Sequence, residues 1–127
     1  MKYSNIKKLI LEFVEYYGGD VSEIIQGLRD GDYVIQTETE AIEQVSDYIE
    51  TNFNYFVSGF IADHTGIPVE LVSLGQEHNV DLEFVDYVKD VSQMVDDAIY
   101  QDGLEHFLSG HDRNLWESGD LVGYRVN

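Results

Sequence analysis

Basic residues are almost missing from a long central span of this chain. Between Lys8 and Lys89 the only one is Arg29, whereas acidic residues occur throughout the span. With 25 acidic and 7 basic residues the chain has a formal net charge of −18, far beyond the magnitude of about 2–8 that suits a small soluble domain. The self-repulsion opposes compaction. The field repels nucleic acid and anionic membranes and attracts basic surfaces, including those that hold DNA.

The apolar and aromatic content nevertheless indicates a folded protein. Apolar residues make up 43% of the chain and aromatic residues 13%, which excludes a disordered acidic tail because such tails are poor in aromatic side chains. The 127 residues include one proline and show no repeat and no linker composition. We therefore expect a single domain over 1–127.

The sequence contains no cysteine, which excludes disulfides, thiolate metal sites and cysteine nucleophiles and fits a reducing compartment. The apolar run near the N-terminus is interrupted by Glu12 and Glu15, so it is too short for a signal peptide or a membrane span. We expect a cytoplasmic protein that does not bind membranes.

Helical periodicity covers most of the chain. The predicted helices are 3–17, a short helix carrying Ile24, Ile25 and Leu28, and then 37–63, 68–78 and 81–102. Asp20 or Ser22 suits the cap of the second helix, and Thr37 with Glu40 fits a capping box at the third. Asp81 suits the N-cap of the last helix.

Two segments have the character of strands. The β-branched run at 33–37 predicts a short strand, and turn residues at 109–110 and 118–120 predict a C-terminal β-hairpin that pairs with it. The expected fold class is mainly α (α+β), a helical domain with two long amphipathic acidic helices and a small C-terminal β-hairpin.

Acidic residues follow the helical period in both long predicted helices. One set is spaced i, i+3, i+7 and i+10 and the other i, i+3, i+7 and i+14, so each set lies on one helical face. The first set is Glu40, Glu43, Asp47 and Glu50, and the second is Glu83, Asp86, Asp90 and Asp97. These eight carboxylates are the candidate partner-binding residues. A solvated face without a specific role is the alternative.

The spacing of such rows can be compared with that of DNA phosphates. Steps of three or four residues separate charges by about 4.5–6 Å along a helix axis, because each residue rises about 1.5 Å. Duplex DNA carries one charge per about 3.4 Å of axis on each strand. One row is therefore sparser than DNA, and two rows side by side approach its charge density.

The sequence offers little for catalysis or metal binding. No pair of its histidines has the i, i+4 spacing of a helical zinc site, and a calcium loop starting at 30–32 fails because Ile35 occupies the position that needs glycine. Ser109, His111 and Asp112 are triad residue types, but their adjacency favours a turn, since triads assemble from distant positions. We expect no catalytic residue, no metal and no cofactor.

Aromatic residues are dense between Asn52 and Phe56 and recur at Phe60. Core packing accounts for most of them. Tyr55 lies off the main apolar stripe, so part of this patch is a candidate interface for a homodimer or for another protein.

An acidic, aromatic-rich, cysteine-free chain of this size resembles the phage-encoded DNA-mimic anti-restriction proteins of the Ocr type. The segment Val80–Asp86, VDLEFVD, is similar to a stretch in that family that leads towards a long acidic helix. The ending from His106 to Asn127 is similar to the closing ribbon of many small phage proteins, whereas the strongly acidic tail of the Ocr type is missing. The two resemblances imply a phage or mobile-element origin.

The resemblance implies an inhibitor that occupies the DNA-binding groove of a host defence enzyme, either a restriction–modification enzyme or an RNA-guided nuclease. Its carboxylates would replace phosphates against Lys and Arg of that basic DNA-binding protein, without direct contact to nucleic acid. The alternative is a phage accessory protein that is not a mimic and binds a host protein through the aromatic patch. In both cases we expect no enzymatic activity, and a homodimer stays open.

Overall fold

The computed structural model describes residues 3–127 and shows a mainly helical protein with one small antiparallel sheet, which confirms the predicted fold class. The elements in chain order are α1 (Tyr3–Tyr17), α2 (Val21–Asp30), β1 (Tyr33–Thr37), α3 (Glu38–Thr51), α4 (Ser58–Thr65), α5 (Val69–Glu77), α6 (Val91–Asp102), α7 (Leu104–Leu108), β2 (Trp116–Ser118) and β3 (Leu121–Arg125). Short 3-10 turns lie at Phe53–Tyr55 and Phe84–Tyr87. None of the helices in residues 3–127 has both the length and the apolar character needed to cross a membrane.

The chain forms two compact units. One consists of the chain up to Val45 together with Asp102–Asn127, and the other of Ser46–Gln101. The core of the second unit is built from side chains that are almost fully buried, namely Ile49, Phe53, Ile61, Val72 and Met94. A single domain over 1–127 stays a prediction.

The sheet joins distant parts of the first unit. Its strand order is β1-β3-β2, and β1 pairs antiparallel with β3 in a register that runs from Tyr33 opposite Arg125 to Thr37 opposite Leu121. This confirms the predicted pairing of the C-terminal hairpin with 33–37. Helix α1 places the fully buried Phe13 beside the sheet, with its ring centroid 4.8 Å from that of Trp116.

The middle strand of the sheet has a glycine where the ring of Phe13 approaches. A Cβ at Gly123 would lie 2.9 Å from Cζ of Phe13, and the fully buried ring has little room to move away. We expect Gly123→Ala to lower the free energy of unfolding by about 1–3 kcal/mol through overpacking. Denaturant unfolding of the variant checks this, with Gly59→Ala as control because a Cβ at Gly59 would meet nothing within 4 Å. Equal losses in both variants would contradict a specific contact with Phe13.

The predicted signals at the ends of the first four helices are in part confirmed. Asp20 caps α2 by accepting a hydrogen bond from the backbone N of Glu23 at 2.9 Å. Thr37 and Glu40 form the predicted capping box of α3, with the N of Glu40 donating to Oγ1 of Thr37 at 3.1 Å and the N of Thr37 donating to Oε1 of Glu40 at 3.2 Å. The ends of α1 and α5 match the predictions for 3–17 and 68–78 to within one residue.

The prediction of one continuous helix over 37–63 is wrong. Helix α3 ends at Thr51, and the chain turns before α4 begins at Ser58. Tertiary hydrogen bonds explain the break: Gln76 donates from Nε2 to the carbonyl oxygens of Asn54 at 2.9 Å and Phe56 at 2.7 Å. These carbonyls are thereby satisfied outside a helical ladder. The helical apolar pattern of 37–63 places Ile42 on the buried face, but its side chain is exposed.

The prediction of a helix over 81–102 with Asp81 as its N-cap is also wrong. Phe84–Tyr87 is a 3-10 turn, and the regular helix α6 begins only at Val91. Two backbone N–H groups of this stretch form hydrogen bonds with distant residues instead of with a helical turn. The N of Phe84 donates to Oδ1 of Asn54 at 2.9 Å, and the N of Lys89 donates to the O of His64 at 3.1 Å.

A short helix lies just before the C-terminal segment for which the sequence predicts a β-hairpin. The residues after Gly103 form α7, and the hairpin strands are confined to β2 and β3. Gly103 separates α6 from α7 with φ 85° and ψ 147°, a backbone conformation that favours glycine.

Candidate functional site

Helix α3 presents a row of carboxylates on the face opposite its buried stripe. The buried residues are Ala41, Val45 and Ile49. Successive residues of a helix are rotated by about 100° around its axis, so these three side chains point on average roughly 180° away from the four acidic side chains of α3. These acids are Glu40, Glu43 and Asp47, which are exposed, and Glu50, which is half-buried. The structure therefore keeps the first predicted set together on one helical face.

Three carboxylates of this row have no internal partner. Glu40 closes the capping box, whereas Glu43, Asp47 and Glu50 make no side-chain hydrogen bond or ion pair within residues 3–127. Helix α3 contains no Lys or Arg. The three carboxylates are free to meet an outside cation without breaking a contact that holds the fold.

The second predicted set does not form a helical row, which corrects the sequence-based geometry. Glu83 precedes the 3-10 turn that contains Asp86. Asp90 lies before α6 and accepts a hydrogen bond from the N of Gln93 at 3.1 Å. Asp97 is the only one of the four within a regular α-helix. With the helix broken at 88–90, the i, i+3, i+7, i+14 spacing no longer defines one face.

Acidic side chains in the described part of the chain are not neutralised by lysine or arginine. Across residues 3–127 the one ion pair joins Nε2 of His64 to Oδ2 of Asp97 at 3.2 Å. The cationic partner in this pair is a histidine, which carries a positive charge only when it is protonated. The net charge of −18 therefore reaches the surface largely unscreened by the protein itself.

A polar network links α1 to the C-terminal strand in the first unit. The hydroxyl of Tyr17 donates to Oδ2 of Asp112, and the N of Asn114 donates to Oδ1 of the same carboxylate at 3.1 Å. Oγ of Ser109 lies 3.0 Å from both Oδ1 of Asp112 and the O of Arg125. The guanidinium carbon of Arg125 lies 5.0 Å from the centre of the Tyr17 ring.

The protonation states in this network are fixed by its hydrogen bonds. Burial alone would raise the pKa of the Asp112 carboxyl, but the hydrogen bonds from Tyr17, Asn114 and Ser109 outweigh burial and hold that pKa below its usual range. Burial, followed by the hydrogen bond to Asp112, raises the pKa of Tyr17. Tyr17 therefore keeps its proton and Asp112 its charge at neutral pH.

This network does not have the geometry of a catalytic triad. Ser109 is buried and hydrogen-bonds to Asp112 and to backbone, with no hydrogen bond to His111. A triad needs the nucleophile to contact the histidine. The arrangement instead ties the chain end to α1, in agreement with the predicted turn, and sequence reasoning missed Tyr17 because it lies 95 positions away.

The aromatic patch divides into a packed part and an exposed part. Phe53 is buried, and its ring centroid lies 6.0 Å from that of Phe56 and 6.2 Å from that of Phe60. Tyr55 is 84% exposed. The predicted core role therefore holds for Phe53, whereas Phe56 and Phe60 are only partly buried and Tyr55 is a surface aromatic residue.

A cleft of about 560 Å³ lies in the second unit beside Tyr55. Its walls are the segments 54–58 and 79–84 and the C-terminal end of α5 at Gly75 and Gln76. Sequence reasoning missed this cleft, because it is assembled by side-chain amides that reach across 20 to 30 positions. Nothing in the local pattern marks Asn54 or Gln76 as its organisers.

Residues 3–127 contain no group of three or more His, Cys, Asp or Glu side chains arranged to hold a metal ion. Comparison of the chain with protein-family models, with curated proteins and with solved structures finds no match. The function is therefore argued from the surfaces of the molecule itself.

Proposed function

We propose that the protein is a phage or mobile-element inhibitor that acts in the host cytoplasm by DNA mimicry. Its target is a basic DNA-binding protein of host defence, either a restriction–modification enzyme or an RNA-guided nuclease. The observation that carries the proposal is the α3 row, in which Glu43, Asp47 and Glu50 have no internal partner. The protein is not an enzyme and needs no cofactor.

The proposed mechanism is competition for a cationic groove. Carboxylates of the row take the place of phosphates against Lys and Arg of the target, and the counter-ions of both surfaces are released. The summed field of the −18 charge steers the encounter, so association is fast at low ionic strength and slows as salt is added. Glu83, Asp86, Asp90 and Asp97 add to this field as separate charges rather than as a second row.

Neutralising the row tests the proposal. We expect the triple variant Glu43→Gln, Asp47→Asn, Glu50→Gln to associate about tenfold more slowly with its target and to lose much of the salt dependence, because steering comes from several charges acting together. Each single change should have a small effect. Pull-down from bacterial lysate at low and high salt identifies the target, and association rates against ionic strength then compare the variants.

A second triple variant separates the row from the total charge. Asp63→Asn, Glu70→Gln, Glu77→Gln removes the same number of charges from exposed carboxylates outside α3. The proposal requires this control to slow association less than the α3 variant does. Equal slowing would assign the effect to net charge alone, and complete loss of inhibition from one single change would point to a narrow contact or to catalysis.

The adaptor alternative gives the opposite result in the same assay. An interface centred on the exposed Tyr55 depends on apolar contact, so its association should tolerate salt and survive neutralisation of α3. Binding of duplex DNA by the protein alone would contradict both the DNA-mimic function and the adaptor function.

A further inference from the structure

The cleft in the unit Ser46–Gln101 has walls that are fixed to one another. Nδ2 of Asn54 donates to the O of Leu82 at 3.0 Å, and its Oδ1 accepts from the N of Phe84 at 2.9 Å. Gln76 donates from Nε2 to the O of Asn54 and the O of Phe56. All three walls are thereby joined, and the cavity is present before any ligand arrives. Its volume of about 560 Å³ falls in the range of about 300–1,000 Å³ that ligand pockets span.

The lining of the cleft combines apolar side chains with amide, hydroxyl and carboxylate groups, and none of its lining residues is basic. Tyr55 and Val57 are 84% and 78% exposed at its edge. The carboxylates of Asp81 and Glu83 make no hydrogen bond or ion pair within residues 3–127. Oε1 of Gln76, whose Nε2 is already engaged, also has no hydrogen-bond partner there.

These groups together match the chemistry of a guanidinium ion. A guanidinium is planar and stacks on an aromatic face, and it donates up to five N–H bonds to carboxylate and amide oxygens. An ammonium is a strongly hydrated point charge that gains less from an aromatic ring at an open site. Anionic ligands are disfavoured, because the lining offers two carboxylates and no cation.

We propose that this cleft binds an arginine side chain presented by an extended segment of a partner protein. The guanidinium lies against Tyr55 and is held by Asp81, Glu83 and Oε1 of Gln76, while the flanking aliphatic part of the segment covers Val57. The cleft shares no residue with the α3 row and does not require phosphate mimicry, so it goes beyond the function proposed above. The cleft would add a short-range contact that distinguishes arginine from lysine. The long-range electrostatic field of the protein distinguishes only the sign and amount of charge.

Blocked pentapeptides test the assignment. Acetyl-Ala-Ala-Arg-Ala-Ala-amide is titrated into the 15N-labelled protein at physiological salt, in parallel with the peptides that carry Lys or citrulline in place of Arg. We expect saturable chemical-shift changes at 54–58 and 75–84, with the Arg peptide bound about two- to fivefold more tightly than the Lys peptide. The citrulline peptide, which keeps the shape and lacks the charge, should bind most weakly.

Variants locate the contact. Tyr55→Ala should weaken the Arg peptide and reduce its preference over Lys, and the double variant Asp81→Asn, Glu83→Gln should weaken both charged peptides. The matched control is Asp63→Asn, Glu70→Gln, two exposed carboxylates outside the cleft lining, which removes the same charge and should leave peptide affinity nearly unchanged.

Several results would overturn the proposal: no saturable shift at millimolar peptide, equal affinity for the Arg and citrulline peptides, or an Asp63→Asn, Glu70→Gln control that loses as much affinity as the cleft variant. The outcome is independent of the inhibition assay. Failure of the cleft leaves the α3 result standing, and failure of α3 leaves the peptide result standing.

Discussion

Phe13→Ala is expected to lower the free energy of unfolding by about 3–5 kcal/mol, the usual cost of truncating a fully buried phenylalanine. The side chain has no exposed surface and lies between the rings of Tyr33 and Trp116, with centroid separations of 5.2 and 4.8 Å. Its removal leaves a cavity against the glycine of β3. Total stabilities of small proteins are only about 5–15 kcal/mol, so the variant should be close to unfolded at 37 °C.

Denaturant unfolding followed by far-UV circular dichroism and by fluorescence of Trp116 measures this loss. Leu11→Ala on the same helix is the control, because Leu11 is half exposed and its truncation should change stability by about 0.5 kcal/mol or less. A Phe13→Ala variant that unfolds like the parent would show that α1 does not pack on the sheet through this ring.

Asp112→Ala should have the second-largest effect on stability. The carboxylate accepts hydrogen bonds from Tyr17, Ser109 and Asn114, and hydrogen bonds to charged groups contribute about 1.5–3 kcal/mol each when buried. Asp112 is half-buried, so solvent screens part of that contribution. We expect a net loss of about 1.5–3 kcal/mol, with Glu43→Ala, which removes a carboxylate that has no partner, as the control that holds or gains stability.

The pH dependence identifies the cause of that loss. The pKa of Asp112 is lower in the folded protein than in the unfolded chain, so ionisation of Asp112 stabilises the fold. This contribution is complete above the unfolded-chain pKa of about 3.9 and disappears as the pH falls through the lower folded value. The difference in stability between parent and Asp112→Ala should therefore shrink below about pH 4. A constant difference would assign the loss to packing instead.

Several features that depend on neighbouring residues were predicted correctly from the sequence, whereas the N-cap at Asp81 was not, because the helix that it would begin does not form. Asp20 caps α2, and Thr37 and Glu40 close the capping box of α3. In each case the interacting groups lie within four positions, so the pattern contains all the information that the structure uses. The same holds for the acidic face of α3, because helical period alone sets it.

Features that depend on distant partners were not predictable. Asn54 continues a helical pattern, yet its side chain joins the backbone of Leu82 and Phe84 and leaves 81–90 without a regular helix. No local signal distinguishes this asparagine from one that faces water. The prediction of a second acidic row was wrong for this reason. It assumed a continuous helix, and tertiary hydrogen bonds take the place of that helix.

The two candidate sites differ in the same way, since one depends on neighbouring residues and the other on distant ones. The α3 row follows from spacing and is visible in the sequence, whereas the cleft requires three segments to be brought together by Asn54 and Gln76. Tyr55 alone gave a hint, because its position off the apolar stripe predicts the exposure that the structure has.

The pairing of β1 with β3 sets an order of events during synthesis on the ribosome. The unit Ser46–Gln101 is continuous in sequence, so it can fold as soon as its own residues have emerged. The other unit is discontinuous, and β1 cannot pair until β3, which lies 84 to 92 positions further along the chain, has been synthesised. Until then the buried face of α1 has no sheet to cover it, and we expect nascent chains that stall before Leu121 to be held by chaperones or degraded.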